Sequence, residues 1–187
     1  MAIKLCAFLA LCFFVSSTAG VIIGNCPKVN SVEHFIPAKF MGQWYEVLRM
    51  HSKYIPANKC GEVNYTMIDD KTINIAGSGI LLANRTKISM NGVAQIGNSA
   101  DPAKMSVKMD NIDTPFTMYV MVLGTDYNNF AVLYNCVQVS IVHVKHYWVL
   151  SRRRKLHPIA RDMVRDVVRK NRLDWSALYQ EDQSNCN

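Results

Sequence analysis

The chain carries none of the short motifs that mark a nucleotide-dependent or metal-dependent enzyme. No glycine-rich loop precedes a lysine in the spacing that cradles phosphate, and no His-Glu-x-x-His offers paired zinc ligands on a helix. No Gly-x-Ser-x-Gly elbow presents a nucleophilic serine. No Cys-x-x-Cys pair exists, so a structural zinc site has no starting point. The five histidines are scattered; His143 and His146 lie close together but differ in strand parity and so face opposite sides. After the first twenty residues no segment reaches the roughly 20 uncharged apolar residues of a membrane span. Internal repeats and low-complexity stretches are also missing. These absences predict a protein that is not an enzyme and that uses neither a metal nor a cofactor.

The first twenty residues have the form of an export signal. Lys4 supplies the positive end, residues 5–15 are an almost unbroken apolar run, and Ser17-Thr18-Ala19 gives small residues at a cleavage point. A secreted, extracellular product is expected, with residues 1–20 removed and residues 21–187 forming a single domain. Cleavage removes Cys6 and Cys12 and leaves Cys26, Cys60, Cys136 and Cys186. Four cysteines in an exported chain predict two disulfides, with three connectivities open to them. Asn64-Tyr65-Thr66 and Asn84-Arg85-Thr86 satisfy the N-glycosylation pattern. The net charge is +7, concentrated in Arg152-Arg153-Arg154-Lys155 and in the arginines from Arg161 to Arg172. Export argues against a nucleic-acid partner, which leaves a solvated helix face or a peripheral contact with a membrane or receptor.

From Gly42 to Arg152 the sequence offers eight short runs rich in β-branched and aromatic residues: 44–50, 60–68, 72–82, 86–96, 104–109, 116–123, 130–139 and 142–150. Turn chemistry divides several of them, at Asp69-Asp70-Lys71, Ser99-Ala100-Asp101-Pro102, Asp113-Thr114-Pro115 and Asp126-Tyr127-Asn128-Asn129. Eight strands with no intervening helix predict an all-β meander, closed as a sandwich or barrel. One helix follows. Ile159, Ala160, Met163, Val164, Val167 and Val168 share a stripe at three- and four-residue spacing, with Pro158 in the first turn and Asn171 at the stop.

Three pieces then appear in order: Gly42-Gln43-Trp44 opening the first strand, Thr125-Asp126-Tyr127 ahead of a later one, and Arg152 closing Trp148-Val149-Leu150-Ser151-Arg152. In this arrangement the mature chain resembles the lipocalins, and within that family the apolipoprotein D-like and insect Lazarillo or bilin-binding branches. The resemblance implies an eight-stranded antiparallel up-and-down barrel with one C-terminal α-helix packed on its wall. It implies that Gly42, Trp44, Thr125, Asp126, Tyr127 and Arg152 close one end of the barrel, the Arg152 guanidinium covering the Trp44 indole. It also implies the pairing Cys26–Cys136 and Cys60–Cys186, and removes any free thiol for catalysis.

Strand parity extends the reading to the interior. A glycan on Asn64 must face solvent, so its strand neighbours Val63, Tyr65 and Met67 face inward. Arg152 shares a face with Leu150, Trp148 and His146, which turns Trp148 and His146 toward the cavity. Residues 116–123 are apolar on both faces and cannot be phased; Tyr119 and Met121 are the candidates from that strand. An eight-stranded barrel is wide enough to hold one small ligand. An apolar lining suits a lipid, fatty acid, sterol, retinoid or bilin. No cation is evident deep inside, so His51, Lys53 and Lys59 at the open end are the partners expected for an anionic group. The function expected is a secreted carrier of a small hydrophobic ligand. The alternatives are a secreted interaction protein acting through its surface, and a protective protein whose methionine reduces lipid hydroperoxides.

Overall fold

The computed structural model describes residues 22–52, 57–110 and 117–186; the export signal, Lys53 and residues 111–116 lie outside them. Eight strands follow one another as an antiparallel meander: β2 (Gly42–Met50), β3 (Asn58–Met67), β4 (Thr72–Leu81), β5 (Lys87–Ile96), β6 (Lys104–Met109), β7 (Met118–Thr125), β8 (Phe130–Val139) and β9 (Val142–Ser151). Pairing of β9 with β2, from Tyr45 opposite Ser151 to Arg49 opposite Trp148, closes the sheet into a barrel. Closure removes the edges that an open sheet would otherwise present. Two short strands are added outside the meander, β1 (Ile22–Ile23) on β9 and β10 (Leu178–Gln180) on β2. The helices are α1 (Pro37–Phe40), just before β2, and α2 (Pro158–Lys170), after β9.

Side chains alternate between two cores. Inside the barrel lie Trp44, Ile73, Ala94, Ile96, Met105, Val120, Val122, Leu133 and Leu150, with Phe35 and Phe40 packed beneath. Outside, Val47, Leu48, Leu123, Phe130, Val132, Tyr134 and Val149 meet Ala160, Val164 and Val168 of α2. From Val120 to Leu123 and from Phe130 to Tyr134 strands β7 and β8 are apolar because both faces are largely buried, while Tyr119 is exposed and the far half of β8 carries Asn135 and an exposed Gln138. The helix comes close because Gly124 has no side chain: a Cβ there would stand 2.5 Å from Val167 Cγ2. The buried stripe is narrower than the helical periodicity predicts, for Ile159 and Met163 face solvent. His157 caps the helix by accepting a hydrogen bond from the Ile159 amide, and Asn171 closes it. Part of the basic surface folds over an aromatic ring, with Arg161 and Arg165 above Trp175.

One end of the barrel is sealed. Trp44 is fully buried, and its Nε1 donates to the Phe40 carbonyl at 2.8 Å. The Arg152 guanidinium lies 3.8 Å from the Trp44 ring. Its nitrogens donate to the carbonyls of Gln43 and Met41 at 2.8 Å and of Tyr127 at 3.0 Å. Gly42 adopts φ +91°, a left-handed backbone that glycine tolerates. Asp126 Oδ1 accepts from the amides of Asn129 and Phe130. Burial opposes its charge, yet these bonds and the one from the Asn129 side chain hold its carboxyl below the usual range. Thr125 Oγ1 donates to the Phe130 carbonyl, and the Tyr127 hydroxyl accepts from the Ile36 amide. The six signature residues thus bind backbone to backbone around the seal.

The disulfides are Cys26–Cys136 and Cys60–Cys186. The second fastens a feature that the sequence leaves unmarked. Strands β2 and β3 pair only from Gly42 to Tyr45 and then diverge. The C-terminal segment fills the split: β10 pairs with residues 48–50, the Glu181 amide donates to the Val47 carbonyl, and the Cys60 amide donates to the Asp182 carbonyl. Gln183 Nε2 reaches the carbonyls of Glu46 and Gly61, both at 2.8 Å.

Candidate functional site

Above the sealed end the barrel encloses a cavity of about 360 Å³. Phe40, Tyr65, Ile73, Ala94, Met105, Val120 and Leu150 line the part nearest the seal, the Tyr65 ring 5.2 Å from that of Phe40, and Val63, Ile75, Val107, Leu133 and Trp148 stand further up the strands. Met90, Met109 and Met118 come from the ends of β5, β6 and β7 away from the seal, so flexible thioethers line the mouth. Such a wall adapts its shape to an apolar guest more readily than a wall of β-branched residues.

Val63 and Tyr65 line the cavity from β3, and His146 and Trp148 line it from β9 with their rings stacked at 5.4 Å. Burial, reinforced by the nearby Glu46 charge, pushes the Tyr65 phenol above its ordinary value. Burial, and secondarily the Arg49 charge, pushes His146 down to about 4, so its imidazole is neutral at physiological pH.

Three expected cavity residues stand elsewhere. Met67 points inward but sits opposite Ile73 beside the hairpin at the sealed end, where it packs with the inner core and is not part of the cavity wall. Tyr119 and Met121 face outward, because β7 turns Met118, Val120 and Val122 to the interior. Tyr119 is 49% exposed with the Lys104 ammonium over its ring, and Met121 packs in the outer layer. With Met121 and Leu123 packed in the outer layer and Tyr119 an exposed aromatic, the composition of β7 held no sign of which face was which. The open-end cations are also engaged away from the cavity. His51 stacks on Tyr179 at 3.9 Å, and Lys59 pairs with Asp182 at 3.8 Å.

Polar residues that the sequence reading missed line the wall: Glu46, Arg49, Asn58 and Asn135. Arg49 comes inward through a β-bulge. The β2–β9 register shifts between Glu46 and Leu48, so Val47 and Leu48 both face the outer core and Arg49 returns to the interior opposite Trp148. Strict alternation from Trp44 would have put Arg49 outside. Its signal was the adjacent apolar pair Val47-Leu48, flanked by two charges in a half-buried strand. Arg49 is 2% exposed, with Glu46 Oε1 3.4 Å from its Nε and Glu181 Oε2 3.9 Å from its Nη1. Its Nη1 also donates to Asn58 Oδ1. Burial raises the Glu46 carboxyl, with the Arg49 charge opposing. Burial and the charges of Glu46 and Asp182 raise Glu181 to about 7, again against Arg49.

Comparison with known proteins gives a consistent family. Residues 37–183 match the lipocalin-like domain. Apolipoprotein D of Oryctolagus cuniculus is 31% identical over 165 residues, covering 88% of this chain and 85% of that protein. The structure of insecticyanin from the tobacco hornworm Manduca sexta superposes with a TM-score of 0.74 at 25% identity, over 88% of this chain and 89% of that one. Lobster apocrustacyanin A1 superposes with a TM-score of 0.76 at 22% identity, over 89% and 93% of the two chains.

Proposed function

This chain belongs to the lipocalin family, and from that premise we propose that it is a secreted carrier which holds one small hydrophobic molecule inside its barrel. The observation that carries the reading is the cavity itself: a sealed floor, a mainly apolar wall and a methionine-lined mouth. A barrel serving only as a scaffold would gain stability by filling that space, since empty apolar volume costs packing energy. Export is supported by the leader in residues 1–20 and by two disulfides. We read Asn84, exposed in the β4–β5 turn, and Asn64, on the outer face of β3, as glycan acceptors. Native mass spectrometry of protein purified from its source tests the carrier reading. A retained apolar molecule released on denaturation supports it; a barrel that arrives empty and takes up no apolar probe refutes it.

One observation favours a second, protective reading. Met90 both lines the cavity and is 39% exposed, so a lipid hydroperoxide in the mouth could reach its sulfur. The thioether would take one oxygen and become a sulfoxide while the hydroperoxide leaves as an alcohol. Peptide mapping after exposure to a lipid hydroperoxide tests this: oxidation centred on Met90 with stoichiometric alcohol supports it, and oxidation spread over surface methionines removes it.

A further inference from the structure

Resting on the carrier reading, we infer that the C-terminal segment, residues 178–183, is a strap over a side opening of the cavity, and that the ligand passes between β2 and β3 when the strap lifts. Past Tyr45 no described residue of β2 pairs with β3. The residues that flank this gap, Glu46 and Arg49 on one side and Asn58 and Gly61 on the other, all line the cavity. Behind the strap there is thus a single layer of side chains, with Arg49 bonded to Asn58 across the gap. Lifting the strap takes Glu181 away from Arg49 and removes the backbone bonds that bridge the two strands.

The strap is fixed at both ends and lightly held between them. At one end the Asp174 carbonyl accepts from the Tyr147 hydroxyl at 2.7 Å, and Trp175 lies under Arg161 and Arg165. At the other the Cys60–Cys186 bridge ties the chain to β3. Between these points only β10 pairs with β2; the Glu181 amide, the Asp182 carbonyl and the Gln183 side chain make the remaining bonds across the gap. Strand β3, by contrast, pairs with β4 from Asn58 to Met67. Segments with few backbone bonds open at the lowest free energy, so the strap moves before the meander does, and its tether brings it back.

Glu181 loosens the closure. The closed strap buries this carboxyl with neither oxygen hydrogen-bonded. It faces Glu46 and Arg49 of β2 and its neighbour Asp182, which pairs with Lys59 of β3. His51 of β2 stacks on Tyr179 of the strap, and His146 of β9, near Arg49, is neutral. Burial, then the charges of Glu46 and Asp182, raise Glu181 to about 7 against Arg49. Closure is therefore fullest below the ordinary glutamate range and weakens as pH rises through 7.

The test follows the neutral fluorescent probe N-phenyl-1-naphthylamine onto and off the disulfide-bonded protein by stopped flow, with excess cyclodextrin trapping what is released. Gln183→Ala removes both bonds of its side chain and should raise the association and release rates together by about tenfold. Kd should stay within about twofold, because a gate alters the barrier and leaves the bound state as it was. A bridge between the register partners Leu48 and Gln180, made by Leu48→Cys with Gln180→Cys, should slow both rates by about tenfold or more. Release from the parent should quicken by about tenfold between pH 6 and 8, and Glu181→Gln should remove that dependence. Rates that ignore both Gln183→Ala and the bridge place the passage at the mouth and overturn the inference, leaving the carrier reading intact. Release raised with association unchanged makes the strap part of the wall and overturns it as well. A pH dependence that survives Glu181→Gln overturns the part given to Glu181. Where the bridged variant does not fold, Gln183→Ala decides alone. A parent that takes up no probe overturns both readings.

Discussion

The two ends of the barrel treat buried polar groups in opposite ways. At the sealed end Arg152 donates to several backbone carbonyls and covers an indole, and Asp126 accepts from three amides and a side chain. In the cavity wall Arg49 and Asn58 share one bond and Arg49 Nε stands 3.4 Å from Glu46 Oε1, while Asn58 Nδ2 and both Glu181 oxygens lack a hydrogen-bond partner. The first arrangement is complete in itself and only holds the chain together. The second leaves buried polar atoms without a hydrogen bond. An arginine therefore means different things at Arg152 and at Arg49, and satisfaction of its donors tells the two apart.

The largest effect should come from breaking the seal. Trp44→Ala removes a fully buried indole and is expected to cost about 3–5 kcal/mol, with the order of ligand preference kept; urea unfolding and probe competition measure the two. Arg152→Ala should follow the same pattern at about 2 kcal/mol, since it loses the ring contact and leaves carbonyls unpaired. If either change reordered the ligands with stability intact, the seal would belong to the binding site.

Releasing the C-terminal segment comes next. Replacing Cys60 and Cys186 by serine should cost about 2–4 kcal/mol. It should also raise hydrogen exchange at the amides of Cys60 and Glu181, which bond across the split. Exchange unchanged at those amides would show that β10 holds without its bridge.

Changes in the wall should act on binding. Trp148→Ala and Tyr65→Ala are each expected to weaken an apolar ligand by about 1–3 kcal/mol, read by titration. Unaltered affinity in both would move the ligand away from this wall.

The smallest effect is in pH dependence, and it separates two groups of the same cluster. Glu181 has a folded pKa raised to about 7, so the folded state holds its proton more tightly than the unfolded one. Its contribution to stability is full below the ordinary glutamate range and is lost as pH rises through 7. His146, lowered to about 4, contributes above the ordinary histidine value and loses that contribution as pH falls toward 4. Glu181→Gln should therefore flatten the decline between pH 5 and 8 by on the order of 1 kcal/mol, and His146→Phe should flatten the acid limb. Urea midpoints across that range decide it; identical slopes in parent and variants would place both groups in contact with water.

What the sequence made legible follows from how each feature is encoded. The seal is written in residues that have one geometry available, a left-handed glycine, an indole and an arginine, so motif order alone located it. The faces of β3 and β9 were legible because Asn64 and Arg152 each fix one side chain's direction and alternation fixes the others. Strand β7 defeated the same logic: its outer face is apolar at Met121 and Leu123, which pack in the outer layer, and carries the exposed aromatic Tyr119, so Tyr119 and Met121 looked as internal as Met118 and Val120. Arg49 was hidden by one extra residue at the bulge, a local event that inverts parity without altering composition. The insertion of β10 was hidden too, because three paired residues carry too little pattern to announce a strand.

That insertion also sets an order of assembly. Every strand of the barrel is synthesised before Glu181 and Cys186, and Cys26 can meet Cys136 while those residues are still within the ribosome. The split between β2 and β3 stays open until the tail arrives, leaving Arg49 without one of its two carboxyls. The chain thus completes its walls before it completes the chemistry of its cavity. A molecule trapped during synthesis would meet a different site from the one that the finished protein presents.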